Sequence, residues 1–128
     1  MAAKIALWNG HYVASEIGES LRELGVEVLL FKDAAGLRSL AAERRDIDFA
    51  LSVNFRDDMQ EVCSDLDMVY AGWSYDSGSI GTGLKVNSGL LREKDFMFLF
   101  NSRDAERCAR LHPNTWHLPA AAARSFER

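Results

Sequence analysis

A chain of 128 residues encloses one sizeable core but not two full domains, and its 48% apolar and 27% charged residues are those of a folded globular protein rather than a disordered or fibrous one. The formal charge of −4 comes without the clustered Lys and Arg that phosphate backbones require, which argues against nucleic-acid binding. No apolar stretch, Val26 to Phe31 included, approaches the length of a bilayer span, so a cytoplasmic protein without membrane insertion is expected, its two cysteines kept as buried thiols.

Lys4 to Trp8 (KIALW) is a short apolar run that turns abruptly at Asn9-Gly10 and reads as a first strand. Val13, Ile17, Leu21 and Leu24 then recur at helical spacing with Glu16, Glu19, Arg22 and Glu23 between them, and Gly25 supplies a left-handed stop. Val26 to Phe31 (VEVLLF) scarcely alternates, as in a strand covered on both faces. Ala34 to Arg44 predicts a second helix with Leu37, Leu40 and Ala41 on one face, and Asp48 to Val53 predicts a third strand. A short helix over Asp57 to Leu66, which would bury Met59, Val62, Cys63 and Leu66, leads to a fourth strand, Met68 to Trp73.

Ser74 to Asn87 carries Gly78, Gly81 and Gly83 among small polar residues and reads as a long functional or mobile loop. Asp95 to Phe100 is an apolar fifth strand, Ser102 can cap a helix that must stop before Pro113, and Thr115 to Leu118 predicts a sixth strand before an alanine-rich tail. Cys63 and Cys108 each fall among apolar neighbours on a helix face.

Strands and helices alternating over short connections imply right-handed crossovers. The expected fold is therefore α/β, a single domain over residues 1–128, with a Rossmann-like doubly wound sheet of about six mostly parallel strands in three layers. Ligands of such sheets bind beyond the carboxyl ends of the strands, near the switch in strand order. That rule directs attention to Asn9 to Tyr12, Asn54 to Asp57, Trp73 to Ser77, Asn101 and Pro119 to Ala121.

The strand-to-helix turn W-N-G-H-Y holds one glycine where a dinucleotide fingerprint holds three, and the glycines of G-S-I-G-T-G (Gly78 to Gly83) stand in the wrong order. No P-loop run occurs, and Asn9 and Asn54 occupy the places where a phosphoacceptor receiver carries carboxylates. No cofactor is expected. His11 stands where an imidazole can act as base or hydrogen-bond acceptor, and where a histidine can equally cap a helix. Asp76 can receive a sugar hydroxyl while Trp73 or Tyr75 stacks on a ring face, or it can simply open an Asx turn. His112 and His117 lack metal-ligand spacing, no serine lies in a nucleophile elbow, and Arg56, Asp57 and Asp58 read as a solvated helix start.

Taken in order, K-I-A-L-W-N-G-H-Y, D-F-A-L-S-V-N-F, V-Y-A-G-W-S-Y-D, F-M-F-L-F-N-S-R-D and W-H-L-P-A-A-A resemble the N-terminal region of the CgeB-like group 1 glycosyltransferase family, which includes the spore-maturation protein CgeB and many bacterial proteins. The resemblance spans nearly the whole chain. It implies the acceptor-side half of a GT-B enzyme, in which two Rossmann-like domains face each other across a cleft and the C-terminal one binds most of a nucleotide-sugar donor. It matches Asn9, Gly10 and His11 to the cleft loop after the first strand, Asn54 and Phe55 to the loop after the third, and Trp73 and Asp76 to the segment after the fourth.

On this reading His11 and Asp76 are the catalytic candidates, and Asn9, Gly10, Asn54, Phe55, Trp73, Tyr75 and Ser77 contact substrate. The partners are a small-molecule acceptor and the donor held by a second domain, without which the chain is inactive. Self-association as a homodimer would use the face meant for that domain. The alternative is a stand-alone α/β module for a small ligand or a protein partner, and a second α/β domain downstream of Arg128 would discriminate against it.

Overall fold

The computed structural model describes residues 3–74, 92–99 and 102–117. Each apolar run read from the sequence there becomes a strand and each amphipathic stretch a helix. In chain order the elements are β1 (Lys4–Trp8), α1 (Ala14–Glu23), β2 (Glu27–Phe31), α2 (Ala34–Glu43), β3 (Phe49–Val53), α3 (Asp57–Asp65), β4 (Val69–Ser74), β5 (Phe96–Leu99), α4 (Ser102–Ala109) and β6 (Thr115–His117). The six strands form one sheet in the order β2-β1-β3-β4-β5-β6, and every neighbouring pair is parallel. This is a Rossmann-like doubly wound sheet in which the strand order reverses at β1, placing the switch point between β1 and β3.

Alternation along the strands assigns the layers. Ala6, Phe31, Ala50 and Tyr70 share one face and pack with Leu37 of α2 and Met59, Val62 and Cys63 of α3. Met97 pairs with Gly72, two residues along β4 from Tyr70, so the cluster of Met97 and Leu99 with Ala105 and Cys108 puts α4 on that same face. The opposite face carries Leu7 and Val28, and α1 lies there, with Gly18 close against both side chains. Three layers result. Leu37, Met59 and Met97 are fully enclosed, each contributing about 1.5–3 kcal/mol by burial.

Local chemistry explains the helix ends. α1 closes in a Schellman arrangement, with Val26 N–H donating to the Leu21 carbonyl at 3.0 Å and Gly25 N–H to Arg22 at 3.0 Å. Gly25 itself sits at φ +87, the left-handed turn its sequence position predicts. Asp33 caps α2 by accepting the Gly36 N–H at 2.7 Å. Cys63 and Cys108 are both buried, and burial pushes the Cys63 thiol up to about 12.

The structure corrects four expectations. Leu24 belongs to the exposed turn beyond α1 rather than to its buried face, which is built instead from Val13, Ala14 and Gly18. β2 is an edge strand, so Glu27 and Leu30 are exposed and only Val28 and Phe31 are fully covered. Leu66 follows the last turn of α3 and is exposed, and α4 begins at Ser102 itself.

Candidate functional site

The loops that follow β1, β3 and β4 leave the same edge of the sheet, because these strands are adjacent and parallel. Asn9 opens the first loop, its N–H donating to the Phe31 carbonyl at 3.0 Å and tying the end of β1 to the end of β2. Gly10 follows with the Trp8 indole lying directly against it. A Cβ at residue 10 would stand 2.1 Å from Trp8 Cζ2 and 2.3 Å from Cε2. The indole is pinned there by its Nε1–H, which donates to the Lys32 carbonyl at 2.9 Å. Its face carries the Arg56 guanidinium, 4.6 Å from the ring centroid. Trp8 and Arg56 therefore bridge the loops after β1 and β3 across the switch point.

His11 takes the helix-capping role. Val13 N–H donates to His11 Nδ1 at 3.2 Å, and the ring stacks on Tyr12 with centroids 4.4 Å apart. An accepting Nδ1 leaves the ring proton on Nε2, so in this conformation His11 offers a donor rather than a lone pair to a ligand. Action as a base would require the capping bond to open.

The loop after β3 is held by buried polar groups. Asn54 adopts φ 64, a left-handed conformation that asparagine tolerates better than most residues. Three hydrogen bonds fix it: Asn54 N–H donates to the Trp73 carbonyl, Ser52 Oγ donates to the Asn54 carbonyl at 2.7 Å, and Arg56 N–H donates to the Tyr70 hydroxyl at 3.0 Å. Ser52 and Tyr70 also bond to each other. Burial drives the Tyr70 hydroxyl well above the ordinary phenol range, so it stays un-ionised as donor and acceptor. Gly72 completes the seat, since a Cβ there would approach the Phe55 backbone to 3.3 Å.

Tyr70→Phe keeps the ring but leaves the Arg56 N–H and Ser52 Oγ without this partner. It is expected to cost about 1–3 kcal/mol in urea unfolding and to speed hydrogen exchange at the Arg56 amide. An unchanged Arg56 exchange rate would show that the hydroxyl does not hold the loop.

Of the residues expected to contact substrate, Asn9, Gly10, His11 and Asn54 line the loops on either side of the switch point. The Phe55 ring packs against both core clusters and meets Tyr70 edge-on at 5.2 Å, so it supports the loop from beneath. Trp73, the last residue but one of β4, is half-buried and in register with Val53 and Phe98, and its backbone joins this strand to the Asn54 loop. Tyr75, Asp76 and Ser77, the glycine-rich stretch after them, Asn101 and residues 119–121 lie outside the described residues.

Two features of the site had escaped the sequence. Arg56 is not merely part of a solvated helix start, since it is stacked on Trp8, and Tyr70 with Ser52 forms the buried support of its loop. A serine and a tyrosine at inward positions of adjacent strands are the only sequence sign of that network.

No family model matches the chain, and no curated protein matches it. Among solved structures it is similar to the solution NMR structure of a de novo designed Rossmann 2x3 fold protein, at 11% identity and a TM-score of 0.47, over 96% of this chain and 81% of the designed one.

Proposed function

We propose that this domain is the acceptor-side half of a GT-B glycosyltransferase of the CgeB-like kind, working with a second Rossmann-like domain that holds a nucleotide-sugar donor. The observation that carries the reading is the Trp8 indole against Gly10. In dinucleotide-binding sheets the glycines after the first strand let a pyrophosphate approach the backbone. Here the corresponding space holds the chain's own side chain, pinned by Lys32 and Arg56, which favours a nucleotide bound by another domain. The loops around it remain polar at Asn9, His11 and Asn54, groups suited to the hydroxyls of an acceptor.

In the proposed reaction the acceptor oxygen attacks the anomeric carbon of the donor sugar, and the bond from that carbon to the donor's phosphate oxygen breaks. Asp76, two residues beyond β4, receives the hydroxyl proton, and His11 Nε2–H orients the attacking oxygen. Stacking of the sugar falls to Trp73 and Tyr75, and polar contact to Ser77. The 128-residue chain alone is expected to release no nucleoside diphosphate from any nucleotide sugar, whereas a chain continuing past Arg128 into a second α/β domain is expected to do so with acceptor present. Turnover by the 128-residue chain alone overturns the reading.

A further inference from the structure

We infer that Arg56 is an anion-recognition residue, and that the ligand received at the switch point carries a carboxylate or phosphate group. An ordinary surface arginine is tethered only by its backbone and samples many rotamers. Arg56 is fixed at both ends: its N–H is held by the buried Tyr70 hydroxyl at 3.0 Å, and its guanidinium lies 4.6 Å above the Trp8 indole. The indole is itself immobilised on Gly10 and by Lys32. A planar fork held in this way surrenders little further freedom on binding, which is the condition for recognising a planar or tetrahedral oxyanion.

The charge of Arg56 is only loosely countered. Its Nε and Nη2 reach Asp58 at 3.3 and 3.5 Å, long for charge-assisted bonds, which run about 2.7–2.9 Å. Asp58 Oδ1 is shared, because it also accepts the Met59 N–H at 2.9 Å. Arg56 Nη1 has no hydrogen-bond partner among the described residues. The side chain is 42% exposed. A ligand oxyanion can thus form the short bidentate contacts that Asp58 does not, and Asp58 acts as its competitor.

The inference rests on the acceptor-side reading only in assigning the anion to a sugar acceptor. The test follows the Arg56 Nε–Hε signal by nuclear magnetic resonance at low ionic strength while the 128-residue protein is titrated with inorganic phosphate, glucuronate or glucose. Phosphate and glucuronate are expected to give saturable shifts and glucose none, and the tighter of the two anions identifies whether phosphate or carboxylate is preferred. Asp58→Asn is expected to tighten anion binding several-fold by removing the competitor. Arg56→Lys, which keeps the charge and loses the fork, is followed through the Trp8 indole Nε1–H signal instead and should weaken binding on the order of tenfold.

Absence of a saturable shift with both anions, or an Asp58→Asn affinity equal to or below that of the parent, overturns the inference. Anion binding by a two-domain protein that transfers no sugar would remove the transferase reading and leave the Arg56 site standing. Sugar transfer that is indifferent to Arg56→Gln would do the reverse.

Discussion

Arg92→Ala is expected to destabilise the domain by about 3–5 kcal/mol, a large part of the roughly 5–15 kcal/mol typical of a whole domain. Asp95 is completely buried immediately before β5, and Arg92 is its counter-ion, with Nη2 2.7 Å from Oδ1 and Nε 3.2 Å from Oδ2. The same guanidinium donates to the Met68 carbonyl at 2.6 Å and the Cys63 carbonyl at 3.3 Å, joining the end of α3 and the start of β4 to β5. His112 adds a third attachment, its Nε2–H donating to the Arg92 carbonyl at 2.7 Å.

Truncating Arg92 strips the buried carboxylate of its counter-ion, leaving it only the backbone N–H of residue 92, and takes the guanidinium donor from the Met68 carbonyl, whereas Arg92→Met with Asp95→Leu removes both charges and is expected to be milder than Arg92→Ala alone. Urea unfolding of the three proteins decides the matter, and a loss below about 1 kcal/mol for Arg92→Ala would show that the pair is not the clasp described. Because the cluster lies at the amino ends of the strands, the anion response of Arg56 should survive in the folded fraction of each variant.

Nothing in the string R-E-K-D from Arg92 to Asp95 marks a buried ion pair, and its burial follows only from the arrival of α3 and His112 from elsewhere in the chain. The same limit accounts for most differences between sequence and structure. Periodicity located every described strand, because the runs around Ile5, Val28, Ala50, Tyr70, Met97 and Thr115 are short, apolar and bounded by turn residues. It could not say which strand would lie at an edge. VEVLLF looks covered on both sides, yet β2 has a single neighbour and leaves Leu30 in water.

Leu24 continues the helical spacing of α1, but Gly25 ends the helix before that residue can turn inward. At the site, the turn after β1 and the position of the loop beginning at Asn54 were legible, because Asn-Gly after a strand and the end of an apolar run are local signals, but the left-handed backbone of Asn54 was not among the expectations. The stacking of Arg56 on Trp8 was not legible, since it depends on the parallel pairing of β1 with β3.

That stacked pair sets up the second large effect, from the smallest possible change. Gly10→Ala is expected to cost about 1–3 kcal/mol through overpacking, with up to about 1 kcal/mol more from the displaced Arg56. The backbone at Gly10 does not occupy the left-handed region, so the requirement for glycine is one of space. The atoms that an alanine methyl would meet are the ring carbons of Trp8, and the ring cannot retreat without breaking its bond to Lys32 or lifting Arg56.

A steric cause makes the effect non-additive. In a Trp8→Ala background the clash is gone, so adding Gly10→Ala should cost close to nothing, whereas a conformational requirement would give the same loss in both backgrounds. Equilibrium unfolding of the two single variants and the double variant separates these outcomes. The Arg56 Nε–Hε titration carries the consequence to function: with the indole pushed out, Arg56 loses the surface that holds its fork, and Gly10→Ala should weaken the anion response at a position that itself touches no ligand charge.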